Sequence, residues 1–506
     1  MGNNFIKAMR YNDTMTANLM PAHSSSDNDL IDLLITLGDS EFASRNYILN
    51  SFAKAWKSSP RKSLVILFMG RDIETGQGKR RPFRLIAQKL LTISWFQEQF
   101  TNILINENNI LNNIIRVDDL VCLAHSMLDN SLTQNPNIDK ILNYLFSMIH
   151  NKQIGSLVAK WMPRKESKYS RLVRYMRKHN FILTFSHYRH LISSHTNVVE
   201  QQMCANDWSN IKLEKCSSNS LFMYRKSFYN QGILKPFLKK VSEGTVNLNA
   251  KGLTPQTIVK SIFNGIHTKN IMTRATQTMQ MNNLYEAQWQ NLKQLDNLPQ
   301  EFNILPIIDV SESMCSPNHL PISTALGLGL FIAERNPNPT FRDYFITFSS
   351  IPKFQKVEGT DITTKIENAL KPAWGSSTNL ELVFDLILNK AKENNVPADS
   401  MPSHIIIFSD MQFNYCIKSP SSNAWEMISQ QYRDAGYEMP NIIFWNINNS
   451  SVERALPVKA NEPKTILISG STQNIFNYVL QKKYNQTLSV LDLITEDERY
   501  KHITLN

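Results

Sequence analysis

The sequence has few cysteines, few glycines and no long apolar run. Its five cysteines are scattered without a C-x-x-C pair, which argues against a disulfide framework and indicates a reducing compartment. No stretch of about 18 uncharged apolar residues occurs, so we predict no membrane-spanning helix. Residues 1–10 lack the apolar core of a signal peptide. We therefore expect a soluble, cytoplasmic protein.

Signatures of catalysis and of zinc binding are missing as well. No G-x-S-x-G, H-E-x-x-H or protein-kinase motif occurs. The nearest approach to a zinc site lacks the tight ligand pairs that zinc sites use; it consists of His187, His190, His195, Cys204 and Cys216. We expect neither an enzyme nor a zinc protein.

What is present is an ordinary globular composition spread over a long chain. With 506 residues, 42% hydrophobic and 19% charged, the chain is too long for one core, which favours two or three domains. The net charge of +11 permits nucleic acid or an anionic surface as a partner. A mildly basic surface without such a partner is the alternative.

Two regions with different periodicity follow a polar N-terminal arm, residues 1–26. Residues 27–298 carry apolar residues at three- and four-residue spacing, which is typical of amphipathic helices. Helices are predicted over residues 44–58, 61–73, 83–104, 117–129, 137–149 and 168–180. No repeat of fixed period is visible, but irregular helical solenoids often hide theirs. This region is predicted to be an α-helical, repeat-like array.

Residues 299–506 alternate short apolar strands with helices, which predicts a Rossmann-like α/β fold with a mostly parallel sheet. The predicted strands are 303–309, 344–349, 354–357, 404–409, 441–447 and 465–468. The predicted helices are 322–335, 363–370, 380–394, 424–434 and 473–481. Ligands of such sheets bind beyond the carboxyl ends of the strands, where the strand order reverses.

Polar oxygens follow two of these strands. The segment 309–313 reads D-V-S-E-S, Thr378 lies in a G-x-x-T loop, and an acid ends another apolar strand. Carboxylate and hydroxyl ligands suit a hard cation, Mg²⁺ or another such as Mn²⁺ or Ca²⁺. The predicted ligands are Asp309, Ser311, Ser313, Thr378 and Asp410.

With this motif in this order, the C-terminal region resembles the von Willebrand factor A family and its metal-ion-dependent adhesion site. The resemblance implies a metal that leaves positions for water or for a partner's carboxylate. Glu312 stands where the family commonly has Gly within D-x-S-G-S. A degenerate domain that keeps the fold and binds no metal is the alternative.

Two basic segments stand out in the helical region. Residues 71–84 contain a glycine-containing turn, and a basic cluster follows it at the start of a predicted helix. This arrangement can bind anions. Residues 152–178 interleave cations with Trp161, Tyr169 and Tyr175, which suits phosphate contacts and stacking on unpaired bases. The candidate residues are Lys79, Arg80, Arg81, Arg84, Lys160, Arg164, Lys165, Lys168, Arg171 and Arg174. Solvated helix faces are the alternative.

The order of features, with N-V-V-E-Q-Q-M at 197–203, Trp208, Ile211 and S-L-F-M-Y-R-K at 220–226, resembles an uncharacterised family of viruses, fungi and plants. That family is in turn similar to the Ro autoantigen (TROVE) proteins, which join a helical-repeat ring to a von Willebrand factor A domain. The resemblance implies RNA binding, of single-stranded or small structured RNA, in a ribonucleoprotein. A viral source would add the virion to the expected locations.

Two hypotheses follow. The first is a non-enzymatic RNA-binding protein of Ro type. The alternative is a protein-interaction scaffold in which the metal binds a partner's carboxylate. Hydrolytic chemistry through metal-bound water has the least support, because no general base is recognisable beside the two acids.

Overall fold

The computed structural model describes residues 13–38, 43–250, 252–267, 275–292, 302–315, 319–348, 350–371, 378–415, 417–418, 421–447, 455–479 and 486–505. The chain packs into two compact units. We call Met1–Ala43 with Ser217–Ile494 the sheet unit, and Ser44–Cys216 with Thr495–Asn506 the helical unit.

The packing groups helices of residues 217–290 with the sheet, whereas the sequence placed them in the helical region 27–298. As limits of separately folding domains, residues 1–26, 27–298 and 299–506 stay a prediction. No helix among the described residues is long and apolar enough to cross a membrane.

The sheet unit contains a six-stranded, mostly parallel sheet, as predicted. Its strands are β3 Ile304–Asp309, β4 Tyr344–Phe348, β5 Lys353–Lys356, β6 His404–Ser409, β7 Asn441–Asn446 and β8 Thr465–Ser469, in the order β5-β4-β3-β6-β7-β8. All neighbours are parallel except β4 and β5. The order reverses at β3, which pairs with both β4 and β6, so their carboxyl ends form the crevice expected to bind a ligand.

Strands β3, β6, β7 and β8 are buried along nearly their whole length, which is typical of a parallel sheet covered by helices, whereas the edge strand β5 is largely exposed. The α-helices that lie or begin in the sheet unit are α1 Asp29–Gly38, α13 Ser218–Asn230, α14 Leu234–Ser242, α15 Pro255–His267, α16 Ala275–Gln290, α17 Leu320–Glu334, α18 Ile362–Leu370, α19 Leu380–Glu393, α20 Ala424–Ala435, α21 Phe476–Val479 and α22 Thr487–Glu496. A Cβ at Gly327 would lie 2.9 Å from the backbone nitrogen of Gln256, so glycine lets α15 approach α17 closely.

The helical unit contains eleven α-helices among the described residues. They are α2 Arg45–Ser58, α3 Pro60–Arg71, α4 Arg80–Leu90, α5 Ser94–Leu104, α6 Glu107–Leu111, α7 Val117–Ser126, α8 Pro136–Met148, α9 Gly155–Trp161, α10 Ser170–Lys178, α11 Phe185–His195 and α12 Val199–Cys204. Helix α7 packs against α4, α8, α9 and α10, which makes it the centre of the unit. The predicted helical character of this region is confirmed.

Two predicted helices are wrong in detail. The predicted helix over 83–104 is two helices, because the chain turns at residues 91–93, where the Thr92 hydroxyl donates to the Lys89 carbonyl at 2.7 Å. The predicted helix over 473–481 begins as the 3-10 turn Gln473–Ile475 and continues in α21. Its last two residues lie outside the described part of the chain.

The predicted polar arm contains a short β-hairpin. Strands β1 Thr14–Met15 and β2 Pro21–Ala22 pair antiparallel, and the Thr16 hydroxyl accepts the Met20 backbone N–H at 3.0 Å inside the turn. No strand alternation is visible in the sequence here, because each strand has only two residues.

Candidate functional site

The structure brings two acids of the predicted metal site to adjacent strand ends. Strands β3 and β6 pair with Ile308 opposite Phe408, so Asp309 and Ser409 follow side by side, and Asp410 comes next. Asp309 is fully buried and Asp410 is 6% exposed. The crevice at the strand-order reversal is therefore lined by carboxylates.

Hydrogen bonds fix the first carboxylate and the neighbouring hydroxyls. Asp309 accepts the Ser311 backbone N–H at 2.9 Å and the Ser409 hydroxyl at 2.6 Å. The hydroxyls of Ser311 and Ser313 lie 3.1 Å apart, and the Ser313 side chain also hydrogen-bonds Asp410. Four predicted ligands, two acids and two serines, thus form one connected group.

The fifth predicted ligand, Thr378, is held by the loop that follows Asp410. Its N–H donates to the Asn414 side chain at 3.1 Å, and its carbonyl accepts the Asn414 N–H at 2.9 Å. The side chain is buried. The rest of the G-x-x-T loop, residues 375–377, lies outside the described residues. Glu312, the departure from the family motif, is exposed to solvent.

The two carboxylates of this site have no cationic partner within the described part of the chain. Among the described residues neither Asp309 nor Asp410 forms a salt bridge, and no group of three or more His, Cys, Asp or Glu side chains is arranged for a metal. Burial, and then the charge of Asp410, raise the pKa of Asp309 well above its usual range. Burial also raises the pKa of Asp410. Such a pair is stabilised by a proton or by a cation.

The donor set fits a hard divalent cation better than a soft one. It offers carboxylate and hydroxyl oxygens, without a thiolate or an imidazole. Met411, directly after the second acid, has a φ of 62°, a left-handed conformation unusual for a side chain of this size. Strained residues of this kind concentrate at functional sites.

Sequence reasoning missed the segment that holds this loop from outside, the hairpin of β1 and β2. The Thr16 hydroxyl donates to the Phe413 carbonyl at 2.7 Å, and the Asn18 side chain donates to the Gln412 carbonyl at 2.6 Å. Gln412 in turn donates its N–H to Asp410 at 3.1 Å. No local signal in residues 14–22 could have shown a contact with residues 412–415.

In the helical unit, the two predicted basic segments meet on α7. Arg80 and Arg84 lie at its first turn, where they approach Asp118. Lys168 and Arg171 lie near its end, where burial, and then the charges of these two residues, lower the pKa of His125. Residues of two segments that are separate in sequence therefore lie near the same helix, α7.

Some candidate cations form ion pairs or hydrogen bonds with other groups of the protein. Arg84 is 15% exposed and binds Asp118 and Asp119 at 2.7 Å each, so its guanidinium group is an internal ion-pair partner. Lys160 pairs with Glu200 at 2.7 Å, and Arg171 donates to the Asp129 carbonyl at 2.6 Å. Arg164, whose pKa is lowered by burial, donates to a backbone carbonyl at 3.3 Å.

Most of the other candidates are exposed. Arg81 and Arg174 lie at the surface, and Lys79 is half-buried. Lys165 lies over the Phe185 ring at 5.3 Å and Lys168 over the Tyr169 ring at 4.8 Å. Cations beside aromatic rings are the arrangement that the sequence predicted for nucleic-acid contacts.

The glycine-containing turn before α4 does not form an open anion cradle. Its amides at Gln77, Gly78 and Lys79 donate to carbonyls at the end of α3 and just beyond it, at 2.7 to 3.1 Å. The Asp72 side chain accepts the N–H groups of Glu74 and Thr75 and the Tyr500 hydroxyl. The turn thus caps a helix and holds the C-terminal segment. The proposed anion contacts of its basic side chains stay a prediction.

Comparisons with known proteins match two parts of the chain to described families. Residues 303–502 match a family described as a domain of unknown function, DUF7788, and residues 148–298 match another, DUF2828. The chain is similar to the uncharacterized protein L728 of Acanthamoeba polyphaga mimivirus, with 26% identity over 526 aligned positions that cover 95% of this chain and 86% of that one.

Among solved structures, the chain is similar to the RO (RSR) protein of Deinococcus radiodurans. The superposition has a TM-score of 0.37 and 12% sequence identity, and covers 93% of this chain and 99% of that one.

Proposed function

We propose that this protein is a non-enzymatic, Ro-type RNA-binding protein. Its helical unit would bind single-stranded or small structured RNA, and its sheet unit would be a von Willebrand factor A-type domain with a Mg²⁺ site. The observation that supports RNA binding most directly is the meeting of two basic segments on α7, with cations beside aromatic rings. Cations contact phosphates, and rings stack on unpaired bases.

The test of RNA binding compares a labelled single-stranded RNA with the matching duplex, by fluorescence anisotropy at low and at physiological salt. We expect salt-sensitive binding with a preference for unpaired RNA, because counterion release makes phosphate contacts salt-dependent. The double variant Lys168→Glu, Arg174→Glu should lose affinity roughly tenfold or more. Reversal of two exposed lysines in the sheet unit, Lys390 and Lys392, is the control. Equal loss in both variants would contradict a localised RNA surface.

The metal site is proposed to bind Mg²⁺ through Asp309, Ser311, Ser313, Thr378 and Asp410. The support is a pair of buried carboxylates that have no cationic partner among the described residues and are joined to two hydroxyls. Bound there, the ion would neutralise both acids and offer an open position to a further oxygen ligand. Calorimetric titration with Mg²⁺ should show one site. Asp309→Asn should abolish that binding, and Glu312→Gln, next to the site but exposed, should keep it.

A second candidate function, a protein-interaction scaffold, rests on the rim of the same site. Tyr415 and Ile417 are exposed apolar side chains that follow Asp410 closely in sequence, and the exposed Leu19 forms a β-bridge with Asn414 of the same loop. A partner with an acidic residue beside apolar ones would complete the coordination of the metal with its carboxylate and cover this rim with its apolar side chains. Synthetic peptides of that composition should bind in Mg²⁺ and not in EDTA. Peptides with Asn or Gln in place of the acid are the control, and equal binding of both sets would contradict the idea.

A further inference from the structure

The first turn of α7 carries more positive than negative charge. Around Asp118 and Asp119 lie four guanidinium groups within 3.6 Å or less of a carboxylate oxygen; they belong to Arg71, Arg80, Arg84 and Arg116. Two acids cannot neutralise four arginines, because arginine stays charged at any pH at which a protein folds. Counted over the described ion pairs, the cluster therefore has two more positive than negative charges.

The two inner arginines already satisfy the acids. Arg71 binds Asp119, and Arg84 binds both acids, through three contacts of 2.7 Å. Arg71 is 1% exposed, and its Nη2 has no hydrogen-bond partner among the described residues. The inner pairs balance charge for charge. The outer arginines are thus not needed to neutralise the buried carboxylates.

The two outer arginines have donors to spare. Arg80 and Arg116 each lie 3.6 Å from a different oxygen of Asp118, which is too long for a hydrogen bond. Their guanidinium groups donate no hydrogen bond within the described residues, and their side chains are 50% and 28% exposed. Asp118 thus attracts both groups to one place while their N–H groups stay available to a ligand.

An indole ring completes the cluster. The guanidinium carbon of Arg116 lies 5.7 Å from the centre of the Trp161 ring, and Lys160 lies 6.0 Å from it. The indole N–H of Trp161 is buried and has no acceptor among the described residues. A buried N–H without an acceptor is rare in folded proteins, and this one belongs to the ring beside the partly exposed guanidinium group of Arg116.

We propose that Arg80, Arg116 and Trp161 form a subsite for one phosphate group of a bound RNA strand. Guanidinium groups bind phosphate with two parallel hydrogen bonds, and a ring beside them is a surface for the adjacent base. This inference rests on the proposed RNA binding and assigns one of its contacts. Arg116 was not among the residues that the sequence indicated, because it stands alone between apolar neighbours.

The experiment measures binding of a fluorescein-labelled oligouridylate to the full chain across a salt series. The double variant Arg80→Gln, Arg116→Gln should lose affinity by on the order of tenfold or more, since it removes charge-assisted hydrogen bonds. The slope of log K against log salt should become shallower by about 0.7 for each phosphate that the variant no longer neutralises. The matched control, Lys54→Gln with Lys57→Gln, removes the same charge from exposed positions of α2 and should leave the slope unchanged.

Two further variants separate charge from geometry. Arg80→Lys with Arg116→Lys keeps the charge and loses the two-pronged contact, so its affinity should fall between wild type and the glutamine variant. Trp161→Phe keeps a ring and removes the N–H donor, and should weaken binding by roughly threefold. Circular dichroism of each variant checks the fold. If wild type binds RNA and the glutamine variant binds it with the same affinity and slope, the subsite is overturned while the proposed function stands.

A second measurement decides the case in which wild type binds no RNA. Thermal unfolding is followed in inorganic phosphate and in chloride at equal ionic strength. A rise in the melting temperature with phosphate, absent in the double variant, would support the phosphate subsite and overturn RNA as its ligand. No difference between phosphate and chloride would overturn the subsite as well.

Discussion

Each unit of the molecule buries a pair of carboxylates, and the two pairs differ in what surrounds them. In the helical unit, Asp118 and Asp119 lie among four arginines. In the sheet unit, Asp309 and Asp410 have only hydroxyl and amide donors among the described residues. The first pair has more cations than it needs and the second has none. The same residue type therefore indicates an anion ligand in one unit and a cation ligand in the other.

The largest expected effect tests the neutralised pair. Arg84→Gln leaves buried carboxylates short of a partner, and breaking a buried ion pair in this way costs about 3–5 kcal/mol. The free energy of unfolding, measured in urea, should fall by that amount. Arg80→Gln, at an exposed arginine, should cost less than about 1 kcal/mol. Equal losses would show that the inner and outer arginines do not differ as described.

A second prediction concerns pH and the sheet unit. Burial lowers the pKa of His404 to about 4, and its ring stacks on Phe302 with centroids 4.2 Å apart. Below about pH 6.5 the unfolded imidazole binds a proton that the folded one does not, so stability is lost as the pH falls toward 4. The loss contributed by this group approaches about 3 kcal/mol. His404→Gln should remove that part of the pH dependence, and a pH profile unchanged by the substitution would contradict it.

The unneutralised pair should respond to substitution in the opposite sense to the first. In EDTA, Asp309→Asn removes one of two buried like charges, so the melting temperature should rise or stay equal. The free energy of unfolding should increase by at most about 1 kcal/mol. In Mg²⁺ at about a hundred times its dissociation constant, wild type should gain about 2.7 kcal/mol and the variant nothing. A variant destabilised in EDTA as strongly as Arg84→Gln would break the comparison between the pairs.

The smallest expected effect tests the hairpin that holds the metal loop. Thr16→Val removes a hydroxyl that bonds both Met20 and Phe413, at a cost of about 1 kcal/mol. Hydrogen exchange of residues 411–415 should become faster. Thr14→Val, at a side chain with no such bond among the described residues, is the control. Equal exchange in the two variants would show that the hairpin does not stabilise the loop.

Much of the sheet unit could be predicted from the sequence. The strand His404–Ser409 has its predicted limits, and the acid that ends β3 lies beside the end of β6 as the α/β pattern requires. Apolar periodicity is a local signal that marks each strand, and the alternation of strands with helices then indicates a parallel sheet. Contacts between distant segments left no such signal. The bond from Thr16 to Phe413 and the placement of Arg116 near Trp161 depend on packing that no local pattern encodes.

The basic segments show where prediction by residue type stops. Arg80 and Arg84 are one helical turn apart and look equivalent in the sequence. In the structure Arg84 is an internal ion-pair partner, and Arg80 is half exposed. Which of two neighbouring arginines faces the acids depends on how α4 is rotated against α7. That rotation depends on which side of α4 is buried, and the buried residues of α4 include Phe83 and Ile86.

The interleaving of the two units has a consequence for biosynthesis. The helical unit uses residues 44–216 and then 495–506, and Arg499 and Tyr500 in the second stretch bind Asp72. A nascent chain that has emerged to residue 216 therefore lacks these two partners of Asp72, and the ribosome needs on the order of tens of seconds to reach them. During that interval the sheet is translated, and the helices of residues 44–216 lack their contacts with residues 495–506. A premature stop just before residue 495 would leave the sheet unit nearly entire, and it would remove the contacts that residues 495–506 make with the helices of residues 44–216.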